Sequence, residues 1–410
     1  MADAGRGRTQ AVAALLVVLA AGVLVLLARA GPGALSAALF ASARPLEHGS
    51  LRRHGGPAPL SRHGLSLSAR LFVLSKCKTF ACLRTVNALP AGGAKFNFPH
   101  AMIIGFPKCA TTSLWNYLVL HPQGIRSRPK EPHYFTRCRN ESFFPLPEGS
   151  KRWACNSTED YYVRMHLSLA VAVKTRLQRA VIEGSTGYAG GHNGASVASI
   201  AADIRRAMPW VKLIVAMREP ISQMISLMVH HAEQLSRPPE QRDYWMVETW
   251  EDLCLEAYIR GNATMVECVR GALQTRPSYA DGFSMWLGVG WPWEQVHPVQ
   301  YEKLVAPDTG RRTLDDVQRF LGFDPKLGAE WLPRNNSRRD MVNPNGWPMR
   351  RKDMEELIEL VRPNADRIAW ELQRRGYVTT MDDWLQPWRE AWDRNLATCS
   401  PKGDCKYVLT

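Results

Sequence analysis

Residues 101–113 read Ala-Met-Ile-Ile-Gly-Phe-Pro-Lys-Cys-Ala-Thr-Thr-Ser, and a helical Leu-Trp-Asn-Tyr-Leu follows. The opening run, Ala101 to Phe106, is short and apolar throughout, the pattern of a strand buried in a parallel sheet. A tight turn carrying Lys108 and the hydroxyls of Thr111, Thr112 and Ser113 then leads into the helix. Strand, turn, cation and helix start together make a cradle for an anion, because amide N–H groups and the helix dipole receive a phosphate while Lys108 adds a full charge. It is not a Walker A loop, which needs Gly-x4-Gly-Lys-Ser/Thr; no second Gly stands before Lys108. That disfavours a nucleotide kinase or other P-loop phosphotransferase. The competing structural reading is an ordinary strand-to-helix turn capped by Thr111 or Thr112.

Further apolar runs predict strands at Val181 to Gly184, Val211 to Met217 and Val296 to Tyr301. Helical patterns separate them at Thr112 to His121, Ala195 to Met208 and Ile221 to Leu235, with later helices at Thr313 to Leu321 and Met354 to Arg374. Alternation of this kind predicts an α/β fold, a single P-loop-like domain with a central parallel β-sheet flanked by helices. No internal repeat is visible. Residues 98–380 are assigned to this domain and 381–410 to a C-terminal extension.

The 410 residues carry 52 Lys plus Arg against 38 Asp plus Glu, a net charge of +14, with 45% hydrophobic residues. This excludes a disordered tail or a disulfide miniprotein and favours an anionic partner. Ala11 to Ala28 is an uncharged apolar run preceded by Arg6 and Arg8 and followed by Arg29. At ~1.5 Å per residue it spans about 27 Å, roughly a bilayer core. A signal peptide cleaved near Ala28-Arg29-Ala30 competes with an uncleaved anchor. The length of the run favours the anchor, since a signal-peptide core has roughly 7–15 apolar residues. The expected order is a cytosolic tail at 1–10, a transmembrane signal anchor at 11–28 and a stem at 29–97, with the remainder lumenal. Four sequons, at Asn140, Asn156, Asn262 and Asn335, agree with secretion. So do nine cysteines, which fall into the neighbouring couples Cys77/Cys82, Cys138/Cys155, Cys254/Cys268 and Cys399/Cys405, with Cys109 left over as a packed thiol. No couple has a zinc-site spacing, and no metal is expected.

The Pro-Lys-Cys-Ala-Thr-Thr-Ser loop resembles the 5′-phosphosulfate loop of the carbohydrate sulfotransferases of the Golgi, which use 3′-phosphoadenosine 5′-phosphosulfate. Other motifs follow in that family's order. Lys130-Glu131-Pro132-His133-Tyr134-Phe135 resembles the segment holding the family's acidic base, and Met217-Arg218-Glu219-Pro220 through Ser226 resembles its 3′-phosphate motif. The likeness runs from about Phe98 to about Glu371. It is greatest to members that sulfate O-6 of 4-sulfated N-acetylgalactosamine, which share the Lys-Cys loop, the Lys-Glu-Pro-His segment and the Cys254…Cys268 region. The resemblance implies a single-pass type II Golgi membrane protein with a lumenal catalytic domain and a glycosaminoglycan or other anionic polysaccharide as acceptor. It also implies in-line transfer of a sulfuryl group to a sugar hydroxyl, needing no metal and no nucleic-acid partner. Donor-binding residues would be Lys108, Cys109, Ala110, Thr111, Thr112, Ser113, Arg218 and Ser226, with Arg338 as a looser match to a C-terminal donor loop. Lys108 would neutralise the leaving bisphosphate and Glu131 would be the general base, while His133 would orient the acceptor or serve instead.

There are departures. The family loop commonly has Gly where Ala110 stands and Arg where Gln223 stands, and Glu183-Gly184-Ser185-Thr186 lacks the Lys of the heparan-type Glu-Lys pair. Bland roles compete elsewhere: Glu131 as a surface partner of Lys130, His230 and His231 as helix-surface or satisfied, partly buried residues, Trp286, Trp291 and Trp293 as core rather than a sugar platform, and the Arg311/Arg312, Arg338/Arg339 and Arg350/Arg351 pairs as solvated charge. The alternative function is an inactive, membrane-anchored polysaccharide-binding protein on the same fold.

Overall fold

In the computed structural model the described residues are 65–138, 158–190, 196–238, 250–330 and 346–409. They belong to one compact unit, Arg62–Thr410. The anticipated strand is β1, Ala101–Gly105, with every residue buried. Beside it run β2 (Gly124–Arg126), β3 (Ala180–Glu183), β4 (Lys212–Met217) and β5 (Val296–Gln300). The 5-stranded sheet has the order β2-β3-β1-β4-β5 and every pairing is parallel. Burial on both faces explains the near-continuous apolar runs.

The α-helices of six or more residues, in chain order, are α1 (Leu67–Lys76), α2 (Phe80–Ala88), α3 (Thr111–Leu120), α4 (Leu169–Lys174), α5 (Val197–Ala207), α6 (Pro220–Leu235), α7 (Trp250–Ile259), α8 (Met265–Thr275), α9 (Tyr279–Gly288), α10 (Gly310–Leu321), α11 (Arg351–Arg374) and α12 (Asp382–Leu396), with shorter ones at Glu159–Tyr161 and Tyr301–Val305. Their starts follow sequence signals. Ser196 accepts from the third amide of α5, while Thr264 and Ser278 complete capping boxes with Glu267 and Asp281 at α8 and α9. A short antiparallel pair, β6 (Trp347–Arg350) and β7 (Asp404–Tyr407), completes the fold.

Order starts earlier than Phe98, so the expected stem is too long at its C-terminal end. Ser66 and Thr79 cap α1 and α2. The disulfide Cys77–Cys82 joins them. Arg70 of α1 is buried and donates to the Leu89 and Pro90 carbonyls and to Asn97 Oδ1. Phe80 packs among Tyr134, Phe135 and Tyr162. Helices this short carry little periodicity of their own and are held by tertiary contacts, which sequence pattern does not reveal. At the other end the expected extension is an integral layer, with Trp384, Trp388 and Trp392 of α12 buried in the core. Cys254–Cys268 and Cys399–Cys405 are bonded. Cys155 and with it the Cys138/Cys155 pairing, the apolar run Ala11 to Ala28 and the cytosolic tail lie outside the described residues. Among the described residues no helix is long and apolar enough to cross a membrane.

Candidate functional site

In an open parallel sheet, ligands gather where the chain leaves the carboxyl ends of the strands, at the point where strand order reverses. Here β1 is flanked by β3 on one side and β4 on the other; β1 leads into the 108–113 loop, β4 into Arg218, and β2 into the segment that carries Glu131 and His133. Gly105 closes β1. A Cβ there would stand 2.5 Å from Ala189 Cβ and 2.9 Å from the Thr186 carbonyl oxygen, so only glycine lets the segment after β3 lie against the start of the loop.

The loop then climbs through residues with left-handed backbone, Lys108 at φ 67° and Ala110 at φ 57°. Ala110, not Thr111 or Thr112, is the N-cap of α3, and no side chain caps it. The competing reading of a turn capped by a threonine hydroxyl therefore does not hold, and the N-terminus of α3 opens at the end of β1, where a helix dipole favours an anion. Thr111 and Ser113 are buried, whereas Lys108 and Thr112 are partly exposed. Cys109 is buried against Tyr279, whose hydroxyl lies 3.8 Å from Sγ, and burial pushes the thiol up to about 12. Cys109 thus anchors the loop from below as an inert thiol.

From β4, Arg218 reaches the same loop, its Nη1 donating to the Lys108 carbonyl at 3.3 Å while the guanidinium lies 4.4 Å from the centre of the Tyr301 ring. Gln223, where the family resemblance led one to expect Arg, donates to the Pro107 carbonyl at 2.9 Å and so braces the loop. At the start of α6 the carboxylate of Glu219 accepts from the Ile221 and Ser222 amides. That helix end is consequently filled by its own side chain, and an anion there would be met by the Arg218 side chain instead. Ser226 stands farther along α6, partly buried.

Glu131 follows β2 at the neighbouring strand ends. Its Oε1 pairs with Lys130 Nζ, and its Oε2 lies 3.1 Å from His133 Nε2 and accepts from Thr186 Oγ1 at 3.2 Å. Desolvation opposes ionisation, but the adjacent Lys130 and the His133 contact outweigh it and hold the carboxyl well below the usual carboxylate range. His133 is buried, and its N–H donates to Ser185 Oγ at 2.9 Å, so the Lys130–His133 segment is fastened to the turn after β3. Behind it Glu183 is fully buried, accepting from the Ser185 amide and hydroxyl; burial raises it to about 8. Gly184 leaves room for Lys130, since a Cβ there would meet Trp115 Cδ1 at 3.0 Å and Lys130 Cγ at 3.2 Å.

The structure thus gathers the 108–113 loop, Arg218, Glu131 and His133 onto strand ends of one sheet. Arg338 lies outside the described residues, as do the sequons at Asn140, Asn156 and Asn335, whereas Asn262 is exposed. Trp286 and Trp291 are core residues, and among the described residues no cluster could hold a metal ion. Sequence reasoning did not assign Thr186, Ser185, Gln223 or Tyr301 to the site. Their contacts come from tertiary placement, although the first three lay inside motifs already singled out.

No protein-family model matches the chain. Over 41 residues, 10% of this chain and 7% of the relative, it is 56% identical to carbohydrate sulfotransferase 15 of Homo sapiens. Over 235 residues, 57% of this chain and 55% of the relative, it is 26% identical to heparan sulfate glucosamine 3-O-sulfotransferase 6 of Homo sapiens. The chain therefore spans about half the length of the second relative and a small part of the first. Among solved structures it aligns with a sulfotransferase from Alicyclobacillus acidocaldarius at a TM-score of 0.40 and 22% identity, covering 66% of this chain and 93% of the other. Both human relatives are sulfotransferases by name.

Proposed function

We propose that this protein is a sulfotransferase that moves the sulfuryl group of 3′-phosphoadenosine 5′-phosphosulfate to a hydroxyl of a glycosaminoglycan. The observation that carries this reading is the start of α3, where Ala110 supplies no side-chain cap and the preceding loop is pinned to Arg218 through the Lys108 carbonyl. Such a start accepts a 5′-phosphate at its amides, with Thr111, Thr112 and Ser113 as further donors. Arg218 and Ser226 take the 3′-phosphate, with Arg338 assigned to the same donor. Cys109 and Ala110 contribute backbone to the loop.

The reaction is in line. The acceptor oxygen attacks sulfur as the bond from sulfur to the phosphate oxygen breaks, and adenosine 3′,5′-bisphosphate leaves. Lys108 neutralises the charge that grows on the leaving oxygen. Glu131, ionised by Lys130 and His133, accepts the hydroxyl proton, and His133 fixes the direction of its carboxylate. Catalysis is otherwise a matter of positioning, for which strand ends are a rigid platform. The net charge of +14 suits a polyanionic acceptor. O-6 of 4-sulfated N-acetylgalactosamine in chondroitin or dermatan chains is the acceptor we favour, in a type II Golgi membrane protein with this domain lumenal.

The test is transfer of labelled sulfate to chondroitin, dermatan, heparan and uronate-rich polysaccharides, with disaccharide analysis of the product. Label at O-6 of 4-sulfated galactosamine supports the whole reading, and label elsewhere keeps the mechanism and discards that acceptor. Lys108→Ala and Glu131→Gln should each lower turnover by about 100-fold or more while polysaccharide binding persists. Full rates in both variants would overturn the site assignment.

A further inference from the structure

Beneath the Arg218 arm of the site lies a carboxylate that the proposed mechanism does not use. Glu219 is fully buried. Its Oε1 accepts from the Ile221 amide at 2.9 Å and from the Trp392 indole at 2.7 Å. Its Oε2 accepts from the Ser222 amide at 2.7 Å and from the Tyr407 hydroxyl at 2.6 Å. The Glu219 amide donates in turn to Glu302 Oε1 at 2.7 Å, and Glu302 Oε2 accepts from the Trp388 indole at 3.0 Å. A buried charge is tolerated only when its lone pairs are partnered, and half of the partners here come from α12 and β7.

Sequence neighbours connect this hub to the cradle. Arg218 precedes Glu219 at the end of β4, and Tyr301 precedes Glu302 just after β5. Arg218 lies over Tyr301 on the cradle side, and Glu219 meets Glu302 through its amide on the side of the C-terminal segment. Arg218 and Glu219 leave β4 in succession into the start of α6, and Tyr301 and Glu302 open the short helix Tyr301–Val305 after β5, so what fixes Glu219 and Glu302 fixes the backbone from which Arg218 and Tyr301 project. The segment that does the fixing is itself tied down. Cys399–Cys405 closes its turn, β7 pairs with β6 with Tyr407 opposite Trp347, and the Asn395 side chain bonds the Val408 backbone in both directions.

We propose that Trp388, Trp392 and Tyr407 are positioning residues for Arg218, acting through Glu219 and Glu302, so that the C-terminal segment sets affinity for the donor nucleotide. The inference rests on the donor reading above, and the experiment separates failure of one from failure of the other. Binding of adenosine 3′,5′-bisphosphate to the full chain is measured by titration calorimetry, alongside thermal midpoints, for wild type, Tyr407→Phe, Trp392→Phe and Trp291→Phe. Trp291 serves as control: it is buried, and its indole donates to the Ala201 carbonyl at 3.2 Å rather than to Glu219. Tyr407→Phe and Trp392→Phe should each weaken bisphosphate binding about tenfold, as expected for loss of a hydrogen bond to a charged group. Trp291→Phe should lower the midpoint and leave affinity unchanged. If the Tyr407 and Trp392 variants lose midpoint but bind like wild type, the inference falls and the donor reading stands. If wild type itself does not bind the bisphosphate, the donor reading falls and takes the inference with it. Should Tyr407→Phe fail to fold, Trp392→Phe decides the matter alone.

Discussion

At the scale of single residues, Glu131 owes its ionised state to its neighbours. Lys130 and His133 both favour the charged form, and Gly184 supplies the space in which Lys130 lies. A depressed base is always ready to accept a proton but only weakly drawn to it. Lys130→Met should therefore raise the carboxyl toward its ordinary value. Because a general base works only when deprotonated, activity would then be lost at a higher pH as the solution is acidified. The kcat/KM profile of Lys130→Met should show its acidic limb displaced upward, and an unmoved limb would mean that Glu131 is not the base. Glu131 itself was legible in the sequence, since its motif stands in order between two others. Its partnership with Thr186 was not, because a contact between residues far apart in sequence has no local signature.

At the scale of elements, β1, β3, β4 and β5 and the helices after β1, β3 and β4 could be read to within a few residues, because buried parallel strands are apolar without interruption and their helices are amphipathic, whereas the three-residue β2 is too short to carry a pattern. Of the numbered helices, α1, α2, α4, α7, α8, α9 and α12 have no counterpart among the predicted ones, and α1 and α2 are stabilised by Arg70, a disulfide and an aromatic cluster rather than by pattern. The packing of β1 against the turn after β3 gives a sharp prediction. Gly105→Ala forces backbone apart where the Cβ would meet Ala189 and Thr186, and should cost about 1–3 kcal/mol in chemical denaturation together with most of the transfer activity. Thr264→Ala, by contrast, removes a cap at α8 and should cost about 1 kcal/mol while leaving kcat and KM alone. Equal effects on activity would show that Gly105 matters to the fold and not to the site.

At the scale of the whole molecule, buried carboxyls make stability depend on pH. Burial raises Glu183 from an ordinary 4.5 to about 8 and Glu302 to about 7. Between those limits the folded chain holds protons that the unfolded chain has released. The stability these groups contribute is thus fully present below about 4.5 and is lost as pH rises through about 7 to 8. Glu131 has the opposite sign, contributing above its ordinary range and losing that contribution in acid. The thermal midpoint should decline from pH 5 to pH 8, and Glu183→Gln should flatten the decline; a variant as pH-sensitive as wild type would contradict the assignment. The extension drawn at 381–410 shows where sequence reading stopped, since nothing in its composition announces that Trp392 and Tyr407 reach the residue beside Arg218. That contact also orders events during synthesis. A ribosome that has completed Arg218 and α6 has made most of the cradle, yet Glu219 lacks its indole and phenol until residues 392 and 407 have emerged. A chain stopped at Arg375 would keep the whole parallel sheet but leave Glu219 without two of its four partners and without the side chains that cover it, so truncated products should be selectively degraded rather than accumulate as partial binders.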